Sequence, residues 1–342
     1  MIAAIDIHKR VMQAAVLEPE TGEFVEERFS GREGLNEWAV RWRSGVSEVV
    51  IEATTGWRWV ARELEAAGFE VHLVDPGQAK ALQGRKRKAK TDRLDARWLC
   101  LLLARELLDQ CEAWLPPAEI QELRDRTRLR KALANDRSRS AQRLHALLTQ
   151  EGWPCDRARL LTAAGRRWVA GLALPAASAM HAQILLATVE HFDAQLRTIE
   201  NELRRFAKQD ARCQRLETIF GVGPIIACHL LAEIGEASRF RRARQIVRLS
   251  GLDPVVEESA DSKRRGKLAK AGPPALRWAA VQAAQHAGRA NSPDRDYYRK
   301  TSRRIGSQRA KLSVARTILH RAYDELLELE RQQTITEQPL AA

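Results

Sequence analysis

The sequence has few of the features that mark secreted or membrane-bound proteins. Of its 342 residues only five are cysteines, and no two of them form a Cys-x-x-Cys pair. A disulfide framework and a cysteine zinc site are therefore not encoded, and reduced, buried thiols are expected. No apolar run approaches the roughly 18 residues that a membrane-spanning helix needs. The charged segment at His8 comes too early for a secretory leader, so a cytoplasmic protein without membrane contact is predicted.

Acidic residues are scarce after the first 75 positions. Residues 1–75 contain 14 acids and 8 bases, a net charge of −6, whereas residues 76–342 contain 30 acids and 49 bases, a net charge of +19. A basic region of this size favours a polyanion as partner, and nucleic acid is the obvious one. The alternative is a generally basic soluble protein with a solvated surface.

Short apolar runs in the first 75 residues predict an α/β fold. Strands are expected at Ile2–Ile7, Val11–Leu17, Phe24–Phe29, Val46–Ile51 and Val71–Val74, with helices at Glu33–Arg43 and Trp57–Ala67. Three strands followed by alternating helix and strand is the order of a ribonuclease-H-like sheet. Many other α/β folds begin in the same way.

The rest of the chain is predicted to be helical. A helix is expected from Asp92 to about Leu108, and a longer one from Pro116 to about Gln150 that is too basic to bury, with Arg124, Arg126, Arg128, Arg130, Lys131, Arg137, Arg139 and Arg143 along it. A second long helix has a heptad seam: Leu185, Val189, Phe192, Leu196, Ile199, Leu203 and Phe206. The seam fits either a hairpin within the chain or a dimerising coiled coil, and residues 116–208 form a helical arm in both cases.

A glycine-rich turn follows the arm. The segment LETIFGVGPIIACHLL matches a helix-hairpin-helix unit, in which Gly221 and Gly223 would offer backbone N–H groups to a phosphate. An ordinary turn between two helices is the alternative. Clusters of bases are expected to bind phosphate backbones: Arg85, Lys86, Arg87, Lys88 and Lys90; Lys263, Arg264, Arg265, Lys267 and Lys270; and Arg299, Lys300, Arg303, Arg304, Arg309 and Lys311.

Four acids are candidates for the chemistry. Asp6 lies in an apolar strand and Glu52 closes another, where a carboxylate is costly unless it has a partner such as a metal. Asp92 and Asp95, at positions i and i+3, share one face near a helix start. Together they can supply oxygen ligands to one or two Mg²⁺ ions for phosphodiester chemistry. Each acid alone could equally be a helix cap, a turn residue or a salt-bridge partner.

Seven segments, in this order, carry a family resemblance: AAIDIHKR, VVIEATTGW, LVDPGQAK, KAKTDRLDARWL, GVGP, LSGLDPVVEESADS and KLAKAG. They resemble the DEDD transposases of the IS one-ten insertion-sequence family (IS110), which also includes the Piv DNA invertases. The resemblance extends from about Ile2 to Tyr323.

The resemblance implies a particular domain organisation and site. It implies an N-terminal RuvC-like domain of the ribonuclease H fold at residues 1–112, a coiled-coil arm at 113–210, a mainly helical transposase domain at 211–330 and a tail at 331–342. The family's four acids fall on Asp6, Glu52, Asp92 and Asp95. Its nucleophilic serine falls on Ser259, and Ser262 stands three residues further on. Since Ala260 occupies the position where most members have glycine, Ser262 remains the alternative nucleophile.

The implied activity is Mg²⁺-dependent cleavage and exchange of DNA strands through a phosphoserine link. The implied partners are donor and target double-stranded DNA, a structured noncoding guide RNA, and further copies of the chain in a dimer or tetramer. Base pairing would then select the sequence, and protein contacts would go mainly to backbones. Two alternatives remain: a RuvC-like, metal-dependent junction or structure-specific nuclease, and a noncatalytic nucleic-acid-binding protein.

Overall fold

The computed structural model describes residues 1–84, 91–259 and 262–337, and for residues 255–259 and 262–267 the backbone alone is considered. These residues form two compact units, Met1–Pro116 and the chain from Pro117 onward. The cluster from Arg85 to Lys90 lies outside the described residues. Among the helices that are described, none is long and apolar enough to cross a membrane.

The first unit is a five-stranded sheet with helices on its faces. Its elements are β1 (Ile2–Ile7), β2 (Met12–Leu17), β3 (Phe24–Phe29), α1 (Gly31–Trp42), β4 (Glu48–Glu52), α2 (Trp57–Ala66), β5 (Glu70–Val74), α3 (Pro76–Gln83) and α4 (Asp92–Ala104). The strand order is β3-β2-β1-β4-β5. Strands β1, β2 and β3 are antiparallel neighbours, whereas β4 is parallel to β1 and β5 to β4. The predicted mixed α/β unit is confirmed, with strand ends within two residues of those expected.

Alternation of side chains divides the sheet into two faces. Ile5 and Ile51 point into a core shared with α1 and α2, where Trp38 is buried. Ala4 and Val50 point to the other side, into a core shared with α3 and α4. Because successive strand residues face opposite sides, any residue two positions from Ala4 or Val50 faces α4.

The second unit is helical apart from one hairpin. Its elements are α5 (Ala118–Gln150), α6 (Arg157–Leu160), α7 (Ala163–Ala170), α8 (Ala176–Gln209), α9 (Ala211–Glu217), α10 (Pro224–Ile234), α11 (Ala243–Leu249), β6 (Pro254–Ser259), β7 (Ser262–Leu268), α12 (Pro274–Ala283), α13 (Arg295–Ile305) and α14 (Ser307–Glu337). The two long helices α5 and α8 pack against α10, so they share one unit with the C-terminal helices. The division into an arm and a separate transposase domain stays a prediction.

The heptad seam of α8 packs within the chain. Leu185, Leu196 and Leu203 are buried, and α8 lies against α5. Arg130 pairs with Glu200 at 2.7 Å and Arg137 with Asp193 at 2.6 Å. The later residue on α5 therefore pairs with the earlier residue on α8, so the two helices form an antiparallel hairpin. Of the two arrangements that the seam allowed, the structure contains the intramolecular one.

The prediction that α5 is too basic to bury is wrong for several of its arginines. Arg130, whose side chain is 18 % exposed, donates to the carboxylate of Glu200 at 2.7 Å. The half-exposed Arg128 reaches the buried carboxylate of Glu233 with hydrogen bonds of 3.2 and 3.3 Å. Arg124 donates to the backbone oxygen of Ala232 at 2.6 Å. An arginine can enter an interior where an acid or a carbonyl receives it, and the sequence of α5 alone does not show the acids on α8 and α10.

Three further expectations differ from the structure. Helix α4 ends at Ala104 rather than near Leu108, because the chain turns through Glu106 at a φ of 54°. The region after residue 75 was predicted to be helical, but the backbone of Ser262–Leu268 forms β7, paired antiparallel with β6. Residues 331–337, assigned to a tail, continue α14. Of the three, the strand β7 depends on its pairing with β6, which local composition does not report.

Two glycines cross at the base of the β6–β7 hairpin. Gly251 has a φ of 66° and lies against the backbone of Ala271, while Gly272 has a φ of 80° and lies against the carbonyl oxygen of Leu249. A Cβ on either glycine would overlap the opposing backbone. This explains the glycines in the LSGLDP and KLAKAG segments: they let two chain segments touch where the hairpin begins.

We predict that Gly272→Ala destabilises the protein far more than Gly306→Ala. Gly306 has a similar φ of 85°, but no atom lies within 4 Å of the Cβ position. With φ 85° and ψ 155°, Gly306 has a backbone conformation that is almost confined to glycine, so strain alone should lower the free energy of unfolding by about 1–3 kcal/mol. The added overlap at Gly272 should raise that loss to ~3 kcal/mol or more. Chemical denaturation of both variants measures the difference, and equal losses would show that the crossing does not constrain residue 272.

Candidate active site

The strand-end acids lie on the face of the sheet that α4 covers. Asp6 is two positions after Ala4 on β1 and is 6 % exposed. Glu52 is two positions after Val50 on β4, and it directly follows Ile51, which pairs with Ile5. Since β1 and β4 are adjacent and parallel, Asp6 and Glu52 occupy neighbouring positions on the same face.

The helical acids are carried to this face by the first turn of α4. Thr91 caps the helix by accepting a hydrogen bond from the Leu94 N–H at 3.3 Å, which fixes where α4 begins. Asp92 and Asp95 both belong to that first turn. Helix α4 packs on β1 and β2, so its first turn brings these carboxylates to the strand that holds Asp6.

An ionic clamp holds α4 against the edge of the sheet. Arg93 and Arg97, one turn apart on α4, both donate to the carboxylate of Glu26 on β3. Although burial opposes ionisation, the hydrogen bonds from Arg93 and Arg97 lower the pKa of Glu26, so this carboxylate is charged at neutral pH. Arg93 and Arg97 thus pair with Glu26 on the sheet, which leaves the carboxylates of Asp92 and Asp95 to other partners.

His8 joins two of the candidate acids. Its Nε2 lies 3.0 Å from Oδ2 of Asp6 and 3.3 Å from Oδ1 of Asp92, and its side chain is half exposed. Burial raises the pKa of the Asp6 carboxyl; the charge of His8 opposes this rise, and the nearby charges of Asp95 and Asp92 add to it. The charges of Asp92 and Asp95 therefore act on Asp6, and His8 lies between Asp6 and Asp92.

The donor set suits a divalent metal ion. Ligand atoms of Asp6, His8 and Asp92 all lie within 4.8 Å of one another. Among the described residues, these three form the group of acidic and histidine side chains that is close enough to hold a metal ion. A carboxylate that is raised in pKa by burial and by like charges is stabilised when a cation replaces the proton. Carboxylate oxygens are the ligands that Mg²⁺ prefers, while the imidazole nitrogen also suits Mn²⁺ or Zn²⁺.

Two residues near the acids were missed or given a minor role by sequence reasoning. Gln13 pairs with Asp6 across β1 and β2, is 7 % exposed, and donates to the Glu27 carbonyl at 3.1 Å. A polar residue inside the apolar run VMQAAVL was the available signal. His8 was not among the candidate residues of the site, whereas its ring lies between Asp6 and Asp92.

The serine motif lies in the second unit. Ser259 is the last residue of β6 and Ser262 the first of β7, and their backbones are paired across the hairpin. The base of the hairpin is tied down by Arg316, which donates to the Leu252 carbonyl at 2.8 and 2.9 Å, and by Arg277, which donates to the Ser250 carbonyl at 2.8 Å. Of the bases predicted here, Lys270 is exposed beyond β7, and the side chains of Lys263, Arg264, Arg265 and Lys267 lie outside those described.

The glycine turn joins two helices, as expected from its sequence. It connects α9 to α10, and Gly223 precedes Pro224 at the start of α10. Gly221 has a φ of 89°, and a Cβ there would lie 2.5 Å from the Ala283 carbonyl oxygen. The close approach that requires Gly221 is therefore to α12 of the same chain. Gly223 has a negative φ and open space around its Cβ position.

Comparison with known proteins agrees with this arrangement. The DEDD transposase family of IS110 matches residues 3–152, and the family described as Transposase IS116/IS110/IS902 matches residues 213–299. The first match contains all four acids, and the second contains the glycine turn and the serine hairpin. The chain belongs to the IS110 family of transposases.

Individual relatives of this IS110-family chain come from several bacteria. A Sinorhizobium fredii protein named as a transposase, y4rJ, is 30 % identical over 69 % of this chain and 64 % of its own length. A Pseudomonas aeruginosa protein named as a family 20 transposase is 28 % identical over 69 % of this chain and 70 % of its own length. The Yersinia enterocolitica transposase for insertion sequence element IS1328 is 25 % identical, with the same two coverages. The chain thus spans somewhat under two thirds of the first of these relatives.

We predict that Asp6→Asn raises the melting temperature of the metal-free protein at neutral pH. The pKa of Asp6 is raised above its ordinary value of 3.8, so the folded protein holds this proton more tightly than the unfolded chain. Stability linked to Asp6 is therefore lost as pH rises through the raised pKa, and removing the charge restores it. The gain should shrink as pH falls towards the ordinary carboxyl range.

Calorimetry in a chelating buffer at several pH values measures this effect. Glu20→Gln, a neutralisation at an exposed acid in the same unit, is the matched control and should leave the melting temperature unchanged. A lower melting temperature of Asp6→Asn at neutral pH would contradict the expectation that the charged Asp6 carboxylate destabilises the metal-free fold.

Proposed function

We propose that this protein is the transposase of an insertion sequence, an enzyme that cleaves DNA strands and rejoins them at a new site. The observation that supports this most directly is the acidic cluster on the α4 face of the sheet. Asp6, Asp92 and Asp95 interact there, and Glu52 occupies the neighbouring strand position. A chain of this family with that cluster intact has the residues that phosphodiester chemistry requires.

The fold proposed for the first unit is a RuvC-like ribonuclease H fold. Its support is the strand order β3-β2-β1-β4-β5, with three antiparallel strands followed by two parallel ones. The arrangement places the ends of β1 and β4 side by side, and each carries one of the acids. Active sites of open α/β sheets are built at such strand ends.

Mg²⁺ is the proposed metal, held by Asp6, Asp92, Asp95 and Glu52. When bound, it would polarise the scissile phosphate and lower the pKa of a hydroxyl nearby. The residues around the proposed metal site have separate roles. Asp6 and Asp92 supply carboxylate oxygens, His8 fixes the spacing between them, and Glu26 holds α4 through Arg93 and Arg97 so that its first turn stays on the sheet.

Ser259 is the proposed nucleophile, with Ser262 as the alternative. The serine hydroxyl loses its proton, its oxygen forms a bond to phosphorus, and the bond from phosphorus to the 3′ oxygen breaks. The products are a 5′-phosphoserine link and a free 3′ hydroxyl, which keeps the energy of the phosphodiester bond for rejoining. Ser259 lies in the second unit and the four acids lie in the first.

The proposed partners are donor and target DNA together with a structured noncoding guide RNA, in an assembly of two or four chains. The net charge of +19 after residue 75 supports binding of polyanions. Guidance by base pairing would leave the protein with contacts to backbones. The helix-hairpin-helix role of Gly221 and Gly223 belongs to this proposal, as do the basic clusters at 85–90 and 263–270.

A hydrolytic, structure-specific nuclease is the second candidate. It is favoured by the location of all four acids within residues 1–116, so that cleavage by water would need no residue of the second unit. In that case Ser259 would have a structural role. A protein-linked DNA product separates the two candidates.

Replacement of Asp6, Glu52 or Asp95 by Ala should abolish strand cleavage and leave DNA binding largely intact. Metal ligands act on the chemical step, whereas phosphate contacts supply most of the affinity. The assay is cleavage of labelled DNA carrying the ends of the element, with Mg²⁺ and the RNA that co-purifies with the protein. Glu65→Ala, at an exposed acid of α2, serves as the control with normal cleavage. Wild-type rates in any two of the three variants would remove the metal-site proposal.

Ser259→Ala should prevent formation of a covalent protein–DNA adduct, whereas Ser262→Ala should retain it. The expectation follows from the position of Ser259 after GLDPVVEE, which matches the family motif. Denaturing electrophoresis detects the adduct, and mass spectrometry of the trapped peptide locates it. An adduct that persists in the Ser259 variant and maps to Ser262 would move the nucleophile by three residues. Cleavage by the wild-type protein without any adduct would instead support the nuclease.

A further inference from the structure

Helix α13 presents a row of unpaired cations to the solvent. Its inner side carries Tyr298, Thr301 and Ile305, of which Thr301 is 5 % exposed. Its outer side carries four exposed bases, Arg299, Lys300, Arg303 and Arg304. They are spaced by three and four residues, so their side chains are neighbours on one helical surface. We call this set of four residues the α13 face.

The cations of the α13 face differ from the arginines of α5 in whether they have ion-pair partners. On α5, Arg128, Arg130 and Arg137 are paired with internal acids. No member of the α13 face forms an ion pair or a side-chain hydrogen bond with any residue in the described parts of the chain. From 295 to 323 the sequence has nine lysines and arginines against a single acid, Asp296. The α13 face is thus an uncompensated positive surface, whereas much of the charge of α5 is already neutralised.

Hydrogen-bond donors lie beside this positive surface. A cleft of about 320 Å³ between α13 and α14 is lined by Tyr297, Ser313, Arg316, Thr317 and His320. Tyr297 is 51 % exposed and is three residues before Lys300, so its hydroxyl borders the same surface. Hydroxyl groups and exposed cations side by side are the groups that proteins use to contact phosphate and sugar oxygens.

We propose that the α13 face is a docking surface for the phosphodiester backbone of a nucleic-acid duplex. Phosphate contacts require cations that are exposed and free, and the four residues meet both conditions. The surface has a single exposed aromatic residue, whereas single strands are typically held by stacking on several. The matched transposase family ends at residue 299, so three of the four bases lie beyond it. The proposal rests on the proposed function, because it gives that enzyme a specific place to hold its nucleic acid.

The test measures how duplex affinity depends on salt. The variant replaces Arg299, Lys300, Arg303 and Arg304 by Gln, a good helix former that removes the charge and keeps a polar side chain. The control replaces four other exposed bases that are unpaired among the described residues, Arg143, Arg197, Arg205 and Lys208, by Gln, for the same loss of charge. Binding of a short DNA duplex and of an RNA duplex of equal length is measured in a chelating buffer, so that no cleavage occurs. Circular dichroism and the melting temperature confirm that both variants are folded.

Each phosphate contact that is lost should reduce the slope of log affinity against log salt by about 0.9. The α13 variant should therefore lose about 3–4 units of slope and bind at least roughly tenfold more weakly at low salt, while the control changes little. An effect confined to RNA would assign the face to the guide, and one confined to DNA would assign it to donor or target; both support the proposal. Equal losses in variant and control, or a wild-type slope in the α13 variant, would overturn it. The transposase proposal fails separately, by absent cleavage, which this assay does not measure.

Discussion

A carboxylate inside an apolar strand is the constraint that organises the first unit. Asp6 is nearly inaccessible to water, and its burial raises its pKa. Folding tolerates that cost only because neighbouring groups can share it: His8 from the end of the same strand, and a cation that Asp92, Asp95 and Glu52 could help to hold. The cap at Thr91 and the clamp at Glu26 hold the first turn of α4 near Asp6, and the register between β1 and β4 places Glu52 at the neighbouring strand position. The buried position of Asp6 costs local stability.

Much of the first unit could be predicted from the sequence because its signals are local. Alternating runs of β-branched residues predicted the strands. A carboxylate such as Asp6 is energetically costly in an apolar strand, so its position indicated a functional site from the sequence alone. The partners of Glu26 could not be predicted, since Arg93 is 67 positions away in the chain. The role of His8 was also underestimated, because its position between Asp6 and Asp92 depends on how α4 packs on β1.

In the second unit, composition was a weaker guide. A helix with many arginines suggests a nucleic-acid surface, but the number of charges does not say how many remain free. Glu200, Asp193 and Glu233 neutralise arginines of α5 from helices that the sequence separates by 56 to 105 positions. The sequence also predicted a phosphate-binding cluster on α13, and only the structure distinguishes its exposed, unpaired cations from the paired arginines of α5. The β6–β7 hairpin was missed because its pairing depends on contacts at its base, between residues on either side of it.

The crossing of Gly251 and Gly272 divides the hairpin into a base, formed by these two glycines, and a ribbon, formed by β6 and β7. The two parts differ in how far their sequence and length can change. The base is fixed by backbone against backbone, so neither glycine can change alone. In the ribbon between them, a two-residue step in each strand would lengthen the hairpin and preserve the alternation of its faces. Relatives could therefore have longer or shorter β6 and β7 strands on the same glycine crossing. The length of these strands would then set how far a serine at the end of β6 lies from the helices, without any repacking of those helices.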